Sequence, residues 1–119
     1  MNYVDGFICA VSNGNKDAYT AYAKKFGAMF KEHGALTVVD SWGDDVPEGK
    51  LTSFTMAVKR EADESVVFSW ITWPSKAVRD EAWKKLMEDP RLKDMMSPDK
   101  MPFDGARMFW GGFKSIVDL

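Results

Sequence analysis

Ser65 to Trp73 constrains the fold more than any other stretch of the chain. Rich in β-branched and aromatic residues, it reads as a strand. Val67, Ile71 and Trp73 alternate to one side, and Val66, Phe68 and Trp70 to the other. A strand that is apolar on both sides belongs in a sheet covered on both faces, because otherwise large hydrophobic side chains stand in water.

The other elements follow from periodicity and punctuation. Tyr3 to Val11 reads as a strand, with Tyr3, Phe7, Cys9 and Val11 opposed by Val4, Ile8 and Ala10. Asn13-Gly14-Asn15 breaks it, and Asn15 is an N-cap candidate for a helix over about Lys16 to His33. Tyr19, Tyr22, Phe26, Met29 and Phe30 form the apolar face of that helix, and Gly34 is a natural left-handed stop. Leu36 to Trp42 is a second strand, followed by an acidic loop over Gly43 to Lys50. Leu51 to Arg60 fits a strand or a helical turn equally. Ser75 caps a helix over about Lys76 to Glu88, and Asp89-Pro90 opens a short helix through Met96. After a loop over Ser97 to Gly105, Arg107 to Ile116 is the last strand, with Phe109 and Phe113 opposing Met108 and Trp110.

Strand, helix, strand, strand, helix, strand in 119 residues predicts an α+β chain with the ferredoxin-like split βαβ arrangement. It is read as one domain over residues 1–119, a four-stranded antiparallel sheet with two main helices on one face. Two helices cover one face only, and the other is apolar over several strands. A second copy stacked sheet on sheet is therefore expected, giving a homodimer. The competing expectation is that residues 51–60 and the Met95 to Phe103 loop fold back over that face.

Composition removes several function classes. Lys+Arg 16 against Asp+Glu 18, a net charge of -2, argues against a dedicated nucleic-acid or anionic-membrane surface. One His and one Cys cannot build a zinc site of those ligands. The lone Cys9, the lack of a leader at Met1 to Gly6 and the lack of any run near 20 apolar residues fit a cytoplasmic protein with no membrane partner. There is no Walker loop, Gly111-Gly112 precedes no helix, and no bound cofactor is expected.

What remains is a short set of candidates. His33 is the only side chain whose ordinary titration lies near neutrality, so it is a candidate base; its place at a helix end equally suits a cation on the helix dipole. Asp104 and Arg107 flank Gly105 before the last strand, as an anion-binding pair or a structural ion pair. Trp42, Trp70 and Trp110 could each join an apolar wall to a polar group in a ligand pocket, with Ser69 as a polar spot in an apolar strand. Asp40, Asp44, Asp45 and Glu48 supply carboxylates without the calcium-loop spacing, and no metal is expected there. Cys9, among apolar strand residues, is read as inert packing. These features suit either a cofactor-independent enzyme acting on a small apolar or aromatic molecule, or a non-catalytic dimer that binds one.

Four segments carry a resemblance. They are Glu32-His33-Gly34-Ala35-Leu36, Trp42-Gly43-Asp44-Asp45-Val46-Pro47, the run from Val66 through Trp73-Pro74-Ser75-Lys76 to Arg79-Asp80, and Met101-Pro102-Phe103-Asp104-Gly105 through to Gly111-Gly112-Phe113. Together they resemble the bacterial domain-of-unknown-function family 1428 over essentially the whole chain. The resemblance implies a dimeric α+β barrel, similar in fold to small antibiotic-biosynthesis-type monooxygenases and muconolactone-isomerase-like proteins. It implies no established reaction and no accepted catalytic residues.

Overall fold

The computed structural model describes residues 2–119. Strands β1 (Tyr3–Ser12), β2 (Thr37–Trp42), β3 (Glu64–Trp73) and β4 (Phe109–Lys114) form one sheet in the order β2-β3-β1-β4. All three pairings are antiparallel, and β1 sits centrally, with Phe7 opposite Ser69 on one side and Trp110 on the other. The helices are α1 (Lys16–Glu32), α2 (Phe54–Ala57), α3 (Lys76–Met87) and α4 (Pro90–Met95). None of them is long and apolar enough to cross a membrane.

Helix ends obey local chemistry at most of the expected places. Ser75 accepts the Val78 N–H and Asp89 accepts the Arg91 N–H, each meeting a donor that the first helical turn leaves free. Gly34, at φ 102, ends α1 in the left-handed region, and the next amide, that of Ala35, donates back to the Phe30 carbonyl. Asn15 does occupy the cap position of α1, yet its side chain makes no capping bond. A 3-10 turn over Asn13–Asn15 feeds directly into the helix instead, and the Lys16 amide bonds to the Asn13 carbonyl.

The ambiguous segment is a single helical turn. Ser53 accepts the Met56 N–H, and Thr55 donates to Glu48, so local capping decides between the two periods. The last strand is shorter than its apolar run suggests, because Gly105–Arg107 form a 3-10 turn before it.

The main core lies between the sheet and α1, α3 and α4. Phe30, Trp73, Leu86 and Leu92 are fully buried there, and Val11 and Val67 fill the other end beside Tyr19. The opposite face carries Val4, Ile8, Phe68, Trp70, Phe109 and Phe113. Val58, just after α2, buries Ala10 and Val66 at one corner, and Phe54 meets Phe68 edge-on at 6.0 Å. The Met95 to Phe103 loop turns the other way: Phe103 packs against Tyr19 and Tyr22 on the helix side. Phe68, Phe109 and Phe113 therefore remain 43%, 44% and 60% exposed.

Candidate functional site

A groove of about 680 Å³ lies between α1 and the edge strand β2. It exists because α1 offers small residues, Ala23, Gly27 and Ala28, where it crosses the strand. At Gly27 the helix comes so close that a Cβ would stand 3.1 Å from Val38 Cγ1. Toward the N-terminal end of α1 the groove meets Asp40 and Trp42, and Lys16 Nζ lies 5.4 Å from the centre of the Trp42 ring.

Asp40 is the polar centre of this groove. Tyr19 Oη donates to its Oδ1 at 2.7 Å, and Ser69 Oγ donates to the same oxygen at 2.6 Å. Sheet register makes this possible, since Asp40 on β2 stands directly opposite Ser69 on β3, and both point to the helix side. Among the described residues, Asp40 Oδ2 has no hydrogen-bond donor, and Asp40 lines the groove. Burial pushes the Tyr19 phenol well above its usual range, helped by Cys9 and Asp40, so it stays a donor at any ordinary pH. Burial, helped by the Asp40 charge, pushes the neighbouring Cys9 thiol up to about 12, which keeps it protonated and unreactive.

A second polar cluster lies deeper under α3. Asp5 is fully buried and accepts from Trp73 Nε1 at 2.9 Å, Trp83 Nε1 at 3.0 Å and Arg79 Nη2 at 2.7 Å. The Arg79 guanidinium lies beside the rings of Tyr3 and Trp110, and its hydrogen bonds to Asp5 raise its pKa further above the ordinary arginine value. Trp110 stacks on Trp83 at 6.0 Å. Gly112 leaves room for Tyr3 and Arg79, because a Cβ there would overlap the Tyr3 hydroxyl and approach Arg79 Nη2 to 3.0 Å. Both charges in this cluster are paired.

The remaining candidates lie apart. His33 caps the far end of α1 and lines a shallow cleft of about 300 Å³ with Val78, Glu81 and Lys85. Arg107 is engaged on all sides, with Glu64 accepting two bonds at 2.7 Å, Asp104 one at 3.1 Å and the Lys59 carbonyl one at 3.0 Å. That arrangement is the structural ion pair rather than an anion clamp, and it pins the start of β3 to the turn before β4. Trp70 projects from the open sheet face beside Phe68, away from the groove. Within the acidic loop, Glu48 accepts from Thr55, while Asp40 is turned to Tyr19 and Ser69. Among the described residues, no three His, Cys, Asp or Glu side chains come close enough together to hold a metal.

The groove thus gathers Trp42 and, through Asp40, Ser69, but neither His33, Asp104, Arg107, Trp70 nor Trp110. Reading by sequence passed over Tyr19 as anything but core, and over Asp5 altogether. A signal for Asp5 was present: it shares the side of β1 with Tyr3, Phe7, Cys9 and Val11, where a charge requires a partner.

The family model described as "Protein of unknown function (DUF1428)" matches residues 2–105. The chain belongs to the DUF1428 family. It is similar to "Uncharacterized protein YbaA" of Escherichia coli strain K12, at 57% identity over 118 residues and 99% of each chain. The proteins of the same description from Escherichia coli O157:H7 and Shigella flexneri match at the same 57% identity and coverage. DUF1428 membership carries no named activity, so function has to be argued from the groove and the sheet face.

Proposed function

We propose that the protein binds a small, largely apolar or aromatic molecule in the α1–β2 groove and uses Asp40 as a proton acceptor toward it, without a bound cofactor. The carrying observation is the asymmetry of Asp40. Its Oδ1 is fixed by two hydroxyls, and its Oδ2 has no donor from the described residues while the exposed side chain lines a cleft walled by both apolar and charged residues. A carboxylate so held can take a proton from a carbon next to a carbonyl, with the electron pair passing onto the carbonyl oxygen. Returning the proton at another carbon is isomerisation, and delivering the carbanion to dioxygen is cofactor-independent oxygenation. Both begin with the same abstraction.

The test is hydrogen–deuterium exchange into aryl ketones, lactones and quinols, followed by NMR, alongside quenching of Trp42 emission. Wild type is expected to quench and to exchange, and Asp40→Asn to bind comparably with exchange lowered on the order of 100-fold. Quenching without exchange in either protein would make the groove a non-catalytic binding site. No binding by any compound would overturn the reading.

The strand order supports a ferredoxin-like fold, and the open face supports a homodimeric α+β barrel. Phe68 on β3 and Phe109 and Phe113 on β4 lie to either side of Val4 and Ile8 on β1, and a second copy with the same patch is the simplest cover. Sedimentation velocity at tens of micromolar is expected to show twice 13.4 kDa for wild type and a single copy for Phe68→Glu/Phe113→Glu. A wild-type monomer at that concentration would remove the dimer.

A further inference from the structure

The groove is electrically polar along its length. Lys16, Lys24 and Lys31 all line it from α1, spaced eight and seven residues apart, which places them within about a quarter of the helix circumference. None of the three pairs with a carboxylate among the described residues. Lys16 rests by Trp42, Lys31 donates one of its three protons to the Leu36 carbonyl at 2.8 Å, and Lys24 has no hydrogen-bond partner. The opposing strand contributes a single charge, Asp40, and it stands at the Lys16 end because α1 and β2 run in opposite directions.

Resting on the reading of the groove as a small-molecule site, we propose that its ligand is an elongated amphipathic anion. Its carboxylate lies between Lys24 and Lys31, its apolar body runs over Ala23 and Gly27, and a hydroxyl or other donor at its far end reaches Asp40. Asp40 sets the direction. An anion at the Lys16 end would face a carboxylate, whereas the other end offers two cations and no opposing charge. The separation of Lys24 from Lys31, about 10 Å along the helix axis, lets both flexible side chains converge on one group. Asp40 is exposed, and its Oδ2, to which no described residue donates, is open to a ligand end that does.

Isothermal titration of the purified full chain with 12-hydroxydodecanoate, dodecanoate and 12-hydroxydodecanamide separates these terms. The hydroxy acid is expected to bind tightest. Lys24→Ala/Lys31→Ala is expected to weaken both acids about tenfold and to leave the amide unchanged. Asp40→Asn is expected to remove the advantage of the hydroxy acid over dodecanoate. Equal binding of acid and amide by wild type would overturn the inference while leaving the groove as a neutral-ligand site. Failure of all three to bind would overturn the inference, while the reading beneath it stands or falls with the ketones, lactones and quinols. Lys24 and Lys31 on α1 and Asp40 on β2 are all exposed, so circular dichroism of the variants should match wild type.

Discussion

Arg79→Met is expected to destabilise the protein by about 3–5 kcal/mol, lowering the thermal midpoint by roughly 10–20 °C. Methionine keeps most of the aliphatic stem between Tyr3 and Trp110, so the loss isolates the charge. It leaves the Asp5 carboxylate, with no exposed surface, held only by two indole N–H groups. An ionised carboxylate taken from water without a counter-charge is among the costliest things a small core can contain. The companion variant Asp5→Asn/Arg79→Met should recover at least half of the loss, because the neutral amide oxygen can still accept from Trp73 and Trp83. Trp73→Phe removes one of those donors, and its cost should depend on which residue stands at position 5, since contacting residues are not additive. Denaturant unfolding of the five proteins, with Trp73→Phe made both in the wild type and in Asp5→Asn/Arg79→Met, measures all of this. A loss below about 1 kcal/mol for Arg79→Met would mean that the ion pair is dispensable.

Arg107→Met should produce an acid-dependent defect. In the wild type, the two hydrogen bonds from Arg107 hold the Glu64 carboxyl down to about 2, against 4.5 ordinarily, and the Glu61 backbone N–H assists. A carboxyl lowered in the folded state contributes stability that is complete above about 4.5 and vanishes as the pH falls toward 2. By its shift alone that contribution is at most about 3 kcal/mol, and with water reaching the rim of the pair it is on the order of 2 kcal/mol. The gap in unfolding free energy between wild type and Arg107→Met should therefore be widest at pH 7 and close progressively between pH 4.5 and 2. A gap that stays constant over that range would show that Arg107 acts through packing alone.

Periodicity placed the strands and the two long helices because alternation and the helical stripe are properties of neighbouring residues. Residues 51–60 resisted, since Phe54, Ala57 and Val58 satisfy both periods and the decision lies with the Ser53 cap and the Glu48–Thr55 bond. The apolar second face was legible from β3 alone, but which loop covers it was not, because Phe103 could have packed on either side. The candidate site was the least legible part. Asp40 stood out only as one of four neighbouring carboxylates, and its partners Tyr19 and Ser69 lie 21 and 29 residues away, the first brought to it by the packing of α1 on the sheet and the second by sheet register. Asp5 and Arg79, 74 residues apart, meet because α3 packs over β1.

The pairing of β1 with β4 sets the order of events during synthesis. Tyr3 stands opposite Lys114, and the Ser115 amide donates to the Asn2 carbonyl, so β1 finds one of its two neighbours only after β2, β3 and every helix between them have been made. Until then β1 keeps one edge open, and Phe7 and the Arg79 side chain lack the Trp110 ring that later covers them. Long-range pairing of this kind slows folding, because a loop of nearly the whole chain must close before the contact is made. The nascent protein therefore spends its longest vulnerable interval with its central strand half paired, which is when a chaperone or a second nascent copy would meet it.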